Sequence, residues 1–230
     1  MTKYISDIDE VLTTTRTVRK RMDFDRPVER EVIEECLAMA QQASVGSNKE
    51  DWKFVVVTDP EQKAKLARLY QQVWDETVAG PLERGEEATV TRLSPTTRGT
   101  DEAAARQAKI LEGVKYLVDH LERVPVLIFA CSSAPQPRRA IGGSASGYYG
   151  SIFPFVWSLQ LALRSRGLGS VLATAMAHKA AEIAEVLDLP EGCHPVTMVP
   201  VAYTKGLDFR RGARRPLHEI VRWERWSDPA

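Results

Sequence analysis

The chain has no excess of either charge: 31 basic and 31 acidic residues cancel over 230 positions. That balance gives no electrostatic footprint for nucleic acid or for an anionic membrane surface. Cysteine is scarce and unpatterned. Cys36, Cys131 and Cys193 are odd in number, far apart and without a Cys-x-x-Cys pair, so no disulfide framework is expected. Cys36 falls in a helical pattern and Cys131 ends a strand-like run, as buried small hydrophobes do. The four histidines, His120, His178, His194 and His218, show no ligand spacing, which argues against a structural or catalytic metal. No apolar run approaches the ~20 residues of a membrane-spanning helix. The opening stretch MTKYISDIDEVLTTT is polar and acidic where a secretory signal is apolar. A cytoplasmic protein is the expectation. Also missing are a Gly-x-Ser-x-Gly elbow, a P-loop and a Gly-x-Gly-x-x-Gly turn.

What is present is the composition of a globular protein with a real core, 43% hydrophobic and 27% charged. No repeat or linker divides it, so residues 1–230 read as one domain. Apolar spacing predicts helices over residues 6–15, from about Asp25–Glu29 to residue 43, over 61–78, 101–122 and 178–189, and from about Ile152 to Arg166. Pro154 then falls in a first helical turn, where proline is tolerated. The helix from Ile152 is apolar nearly all round, which predicts burial centrally or against a second subunit. Lys53–Thr58 and Pro125–Cys131 are continuous β-branched or apolar runs, the pattern of strands covered on both faces. Ser170–Thr174 reads as a short strand. Pro195–Tyr203 reads as a strand whose Pro200 points to an edge or a bulge. Residues 79–101 lose periodicity and gain Gly, Pro and Thr, as a mobile loop or lid does, and equally a disordered insertion. Residues 207–230 carry an arginine cluster and then two tryptophans that need a place to be buried.

Four polar segments stand at the mouths of these elements: Arg16–Lys20, Ser44–Asn48, Ser170–Thr174 and Arg210–Arg215. In Arg16-Thr17-Val18-Arg19-Lys20, hydroxyl and guanidinium groups match the oxygens of a phosphate, and a solvated basic turn has the same composition. Gly46, Ser47 and Asn48 carry little bulk and leave amides, a hydroxyl and a carboxamide free; alone, they are an ordinary helix-to-strand connection. Gly142-Gly143-Ser144 reads as a flexible turn. Contacts dispersed in this way suit a large cofactor that does the chemistry while the protein positions it.

The order TRTVRK, ASVGSNKEDWKFVVV, GLGSVLAT and PVAY…ARRPLHEIVRW resembles the nitroreductase family of FMN-dependent oxidoreductases, over nearly the whole chain. The resemblance implies an α+β fold, a three-layer α-β-α sandwich with a central, mostly antiparallel sheet. It also implies an intertwined homodimer with FMN at the subunit interface, the helix from Ile152 in that interface and residues 207–230 as an arm reaching the partner. By the same resemblance, Arg16, Thr17 and Arg19, together with Arg214 and Arg215, hold the FMN phosphate and ribityl chain, and Val18 and Lys20 of the same stretch count among the cofactor-binding residues. Ser44, Val45, Gly46 and Asn48 line the flavin, with Asn48 on its pyrimidine side. Leu172, Ala173 and Thr174 supply a donor near flavin N5. The chain departs from the family pattern in four places. Thr15 stands where many members have arginine, Gly212 where some have lysine, Ser44-Val45 replaces Pro-Ser, and Glu50-Asp51 replaces Gln-Pro.

The activity implied is hydride transfer from NAD(P)H through flavin N5 to an electron-poor small molecule such as a nitroaromatic or quinone, in ping-pong order. No catalytic residue is assigned. The reading from another class is a flavin-binding or flavin-sequestering protein of the same fold without turnover.

Overall fold

The computed structural model describes residues 7–86, 101–139 and 142–227. Four strands form one sheet: β1 (Trp52–Val57), β2 (Val126–Ser132), β3 (Leu168–Ser170) and β4 (His194–Tyr203), in the order β1-β2-β4-β3. All pairs are antiparallel. The helices are α1 (Ile8–Thr14), α2 (Arg30–Ala40), α3 (Pro60–Trp74), α4 (Gly80–Glu83), α5 (Asp101–His120), α6 (Gly143–Ser165), α7 (Ala180–Val186) and α8 (Leu217–Ile220).

Side chains alternate across a strand, and β2 is buried at every position and apolar through Cys131, so it feeds two cores at once. Leu127, Phe129 and Cys131 join Met198 and Ala202 of β4 in a core closed by Leu66 and Tyr70 of α3, Leu117 of α5 and Ile183 of α7. Val126, Ile128 and Ala130 join Val199, Val201 and Tyr203 in the other, closed by Ile33, Cys36 and Ala40 of α2 and by Ile152, Phe155, Val156, Leu159 and Leu163 of α6. This is the expected three-layer α-β-α sandwich around an antiparallel sheet. Cys36, Cys131 and Cys193 are all buried and free. Among the described residues no helix is long and apolar enough to cross a membrane.

Several local expectations change. β1 is not covered on both faces: it is an edge strand, with Lys53 exposed and Val56 41% exposed. An unbroken apolar run signals burial but cannot distinguish a central strand from an edge that something else covers. β4 is the converse. Pro200 lies in a strand flanked by β2 and β3, not at an edge; β4 does carry a bulge, but at Val196, which is skipped where Ala130 pairs with Thr197 and Cys131 with Pro195. The Pro200 carbonyl accepts from Val171 N–H at 3.3 Å, so its nitrogen also faces β3, where the three-residue ladder is ending. No ladder bond is lost on the β2 side.

The strand expected over Ser170–Thr174 starts earlier, at Leu168 directly after Gly167 (φ 76), and Thr174 already opens a 3-10 turn. α6 starts at Gly143, well before the expected Ile152, which places Pro154 inside the helix. Ala145 and Ile152 are buried on its inner side, and this packing outweighs the poor helix propensity of Gly and Ser. The Gly150 carbonyl that Pro154 cannot bond belongs to an exposed residue, where water can serve it.

Of the segment 79–101, residues 80–83 form α4 and residues 87–100 lie outside the described residues, as do 228–230 of the C-terminal arm. The described arm leaves Leu217, Trp223 and Trp226 well exposed, Trp223 at 79%. α6 is not buried all round either. Tyr149, Phe153, Trp157 and Leu161 recur every fourth residue, and Tyr149 and Trp157 are 43% and 46% exposed.

Leu159, fully buried between sheet and α2 layer, tests the packing. Leu159→Ala is expected to cost about 3 kcal/mol in urea unfolding, while Val56→Ala costs under about 1 kcal/mol.

Candidate functional site

The first polar segment is held along the β3 edge. Thr17 bridges to Ser170 in parallel, and Val18 N–H donates to the Ser170 carbonyl at 3.0 Å. The Val18 side chain is buried in the core, so only its backbone is available there. Arg19 points inward instead of into solvent. Its Nε is buried with no hydrogen-bond partner. Burial pushes the guanidinium pKa down, and nearby Tyr70 acts in the opposite direction. A half-buried cation with an orphaned donor and no carboxylate paired to it among the described residues is a costly arrangement that an anionic ligand would relieve. Lys20 turns away to Glu112 on α5.

The segment after β3 shares this edge. Val171 N–H donates to Pro200 O at 3.3 Å, and Ala173 N–H donates to Met198 O at 2.8 Å. Because N–H groups alternate sides along an extended chain, those of Leu172 and Thr174 face away from β4. Ala173 is therefore not a free donor, whereas Thr174, exposed at the start of a 3-10 turn, offers both its N–H and its hydroxyl.

Arginines tie the C-terminal segment to the same edge. Arg21 donates to the Lys205 carbonyl at 2.9 and 3.0 Å and to Asp208 Oδ1 at 2.6 Å. Arg164, 3% exposed, donates to the Leu207 carbonyl at 3.0 Å and to Thr14 Oγ1 at 3.2 Å. Both guanidinium groups lie over the Phe209 ring, at 4.2 and 4.7 Å. Arg16 reaches the Arg210 carbonyl at 3.3 Å. These bonds fix the chain up to Arg210 beside Arg16; Arg214 and Arg215 follow, both exposed.

Ser44–Asn48 does not join this group. Val45 leads into a 3-10 turn (Gly46–Asn48), and Asn48 adopts φ 53, a left-handed conformation that asparagine tolerates. The loop leads into β1, and Asp51 is pinned by Ser133, whose N–H donates to the Asp51 carbonyl at 2.8 Å. Trp52 pairs with Ser132, which pairs with His194. Ala173, in contrast, sits beside Met198, four residues along β4 and across the sheet. Three strand spacings and that offset separate the two places by roughly 20 Å. One protomer does not bring them to a single three-ring system.

The Ser44–Asn48 loop instead borders a cavity of about 380 Å3, whose lining includes Gly46, Trp52, Ser132, Gly147, Tyr148 and Ser151. Behind it, Tyr148 Oη lies 2.7 Å from His194 Nε2. Burial pushes the Tyr148 pKa up to about 12, against a hydrogen bond from Ser132 that lowers it. Burial also lowers the His194 pKa, against a hydrogen bond to the Gly192 backbone. Sequence reasoning missed this pair because its members are far apart in the chain and neither belongs to a motif. The Gly143/Gly147/Ser151 spacing of four was the one available signal.

Layers and site together define an α+β protein with helices on both faces of an antiparallel sheet and a basic, donor-rich edge. The nitroreductase family model matches residues 12–203, and the chain belongs to that family. It is 26% identical to an iodotyrosine deiodinase from Nematostella vectensis, over 96% of this chain and 76% of the relative. Among solved structures, an iodotyrosine deiodinase bound to FMN and 3-iodo-L-tyrosine superposes with a TM-score of 0.67 at 20% identity, covering 96% of this chain and all of the other. An FMN- and NADPH-dependent nitroreductase from Sphigopyxis sp. strain HMH gives 0.65 at 20% identity, again over 96% and 100%.

The lowered His194 pKa carries a sign. Below about pH 6.5 the unfolded chain takes up this proton before the folded one, so stability falls on acidification. Thermal melts of His194→Gln between about pH 7 and 5 are expected to lose part of that slope.

Proposed function

We propose that the protein is an FMN-dependent oxidoreductase that takes hydride from NAD(P)H and passes it to an electron-poor small molecule, a nitroaromatic or quinone, in ping-pong order. The supporting observation is the β3 edge, where Arg16, Thr17, Arg19, the outward Thr174 donors and the start of the arginine-rich strap meet. The buried, unpartnered Nε of Arg19 fits an anionic cofactor. Bound FMN supplies the redox chemistry by accepting and returning a hydride at N5.

The protein's residues position and stabilise. Arg16, Thr17, Arg214 and Arg215 neutralise and hydrogen-bond the phosphate. Arg19, with its Nε already buried and unpartnered, would hold the anionic cofactor with a positive charge that needs no reorganisation. Thr174 presents a donor at the reacting edge. Lys20, held by Glu112, contributes to the field and not to contact.

The site is completed by a second copy. Ser44, Val45, Gly46 and Asn48, about 20 Å from the β3 edge of their own chain, line the flavin held by the partner. Exposed Tyr149 and Trp157 and half-buried Phe153 and Leu161 of α6, with the Leu217–Trp226 arm, supply the apolar surface that such a homodimer buries. The similarity to an iodotyrosine deiodinase favours a second reading within the same chemistry, reductive removal of halogen from an aromatic ring.

Protein purified from cells is expected to be yellow and to bleach when NADH or NADPH is added without oxygen. Bound flavin that stays oxidised would identify a flavin-sequestering protein instead. Arg16→Ala and Arg214→Ala should each weaken FMN retention about tenfold or more, as for a charge-assisted hydrogen bond. Arg19→Met should lose FMN while leaving the flavin-free protein as stable as before or slightly more so. Light scattering is expected to give a dimer; a stable monomer with full activity contradicts the shared site.

A further inference from the structure

After Tyr203 the chain leaves the sheet and runs along the body as a strap. It turns at Gly206 (φ 81), where a Cβ would fall 2.7 Å from Arg21 Nη2, so the turn admits no side chain. Half-buried Leu207 and Phe209 then alternate with exposed Asp208 and Arg210, and Phe209 packs against the core that holds Leu127 and Phe129. From residue 213 to 221 every position is exposed. Arg214 donates to the adjacent Ala213 carbonyl, and among the described residues no hydrogen bond joins 211–216 to the body. Arg214 and Arg215 are therefore placed by whatever holds residues 205–210.

The deepest of those holds is Arg164, in the last turn of α6 and 3% exposed. Its Nη2 donates to the Leu207 carbonyl at 3.0 Å and to Thr14 Oγ1 at 3.2 Å. Its guanidinium lies 4.7 Å from the Phe209 ring centre, with that of Arg21 at 4.2 Å. Nε and Nη1 of Arg164 are buried without a hydrogen-bond partner among the described residues. A buried charge with idle donors costs stability, and a methionine of similar length fills the same space without that cost. Packing alone does not account for an arginine here.

Removing the guanidinium orphans little. The Thr14 hydroxyl donates to the Glu10 carbonyl at 2.6 Å, and the Leu207 carbonyl also accepts from Phe209 N–H at 2.9 Å. Loss of Arg164 thus frees the strap while leaving both partners with a bond.

We propose that Arg164 is a positioning residue for the cofactor phosphate: it latches residues 205–210 onto the body and so sets Arg214 and Arg215 beside Arg16, which meets the strap at the Arg210 carbonyl, 3.3 Å away. This role rests on the flavin reading and adds a selectivity to it. The flavin ring is met by Thr174 and does not depend on the strap, whereas the phosphate does. The latch therefore favours FMN over the same ring without a phosphate.

The test compares FMN with riboflavin, titrated into full-length protein freed of bound flavin and followed by flavin fluorescence. Wild type is expected to prefer FMN by at least about tenfold. Arg164→Met should melt cooperatively near the wild-type temperature, lose about tenfold in FMN affinity, as for one charge-assisted hydrogen bond, and keep its riboflavin affinity. In hydrogen exchange of the flavin-free chains, the Lys205 and Phe209 amides, which donate to the Arg21 and Leu207 carbonyls, should exchange about tenfold faster in this variant. Arg164→Lys, which keeps the charge and a donor, should recover most of the preference. Phe209→Ala leaves every charge in place and should also narrow it; this is the second variant if Arg164→Met does not melt cooperatively. An unchanged preference in folded Arg164→Met, an equal loss for both flavins, or unchanged exchange at Lys205 and Phe209 overturns the proposal. A preference lost in Arg164→Met and fully kept in Phe209→Ala assigns the effect to charge alone and also overturns it. Wild type that binds neither flavin overturns the flavin reading, and the exchange rates then judge the latch by themselves.

Discussion

Two-sided burial of β2 and β4 is the constraint on which the rest depends. Every residue of β2 is buried, and its alternate side chains enter different cores, so the strand must have a helical layer on each face. β4 lies beside it with the same division. A one-residue slip would exchange the two cores and bring mismatched volumes against α3 on one side and α6 on the other. Register is therefore tightly held, and with it the line along which β3, residues 16–19 and the strap after Tyr203 are hung.

Charge is used in this frame with little exact pairing. Most ion pairs are on the surface, where each contributes at most about 1 kcal/mol. The structurally important cations bind carbonyls: Arg16, Arg21 and Arg164 hold the 205–210 segment through its backbone, and two of them enclose Phe209. Arg19 is half-buried with a buried Nε that has no hydrogen-bond partner among the described residues, and the same holds for Nε and Nη1 of Arg164. Where a folded chain tolerates that cost, a negatively charged ligand is the natural complement.

The two ends of the sheet have different polarity. The β3 edge presents cations and N–H donors, whereas the cavity beside the Gly46 turn is backed by the Tyr148–His194 hydrogen bond. Neither surface is formed by contiguous sequence.

The sequence by itself determined the family, the layers and most elements. Apolar periodicity located α2, α3, α5 and the cores of β1, β2 and β4, because those signals come from burial within a single element. The four motifs located Arg16–Lys20, Ser44–Asn48, Leu172–Thr174 and Arg214–Arg215 in the right order, yet which of them meet was decided only by tertiary structure. Sheet order put β1 at an edge and Pro200 in a central strand, and neither position follows from the composition of the run itself. Packing against the sheet turned the glycine-rich stretch before Ile152 into helix and so created the cavity floor. The Tyr148–His194 bond joins residues with no local relation, and only the fold could bring them together. The separation of the Ser44–Asn48 loop from the β3 edge is of the same kind, since distances across a sheet depend on strand order, which no local pattern carries.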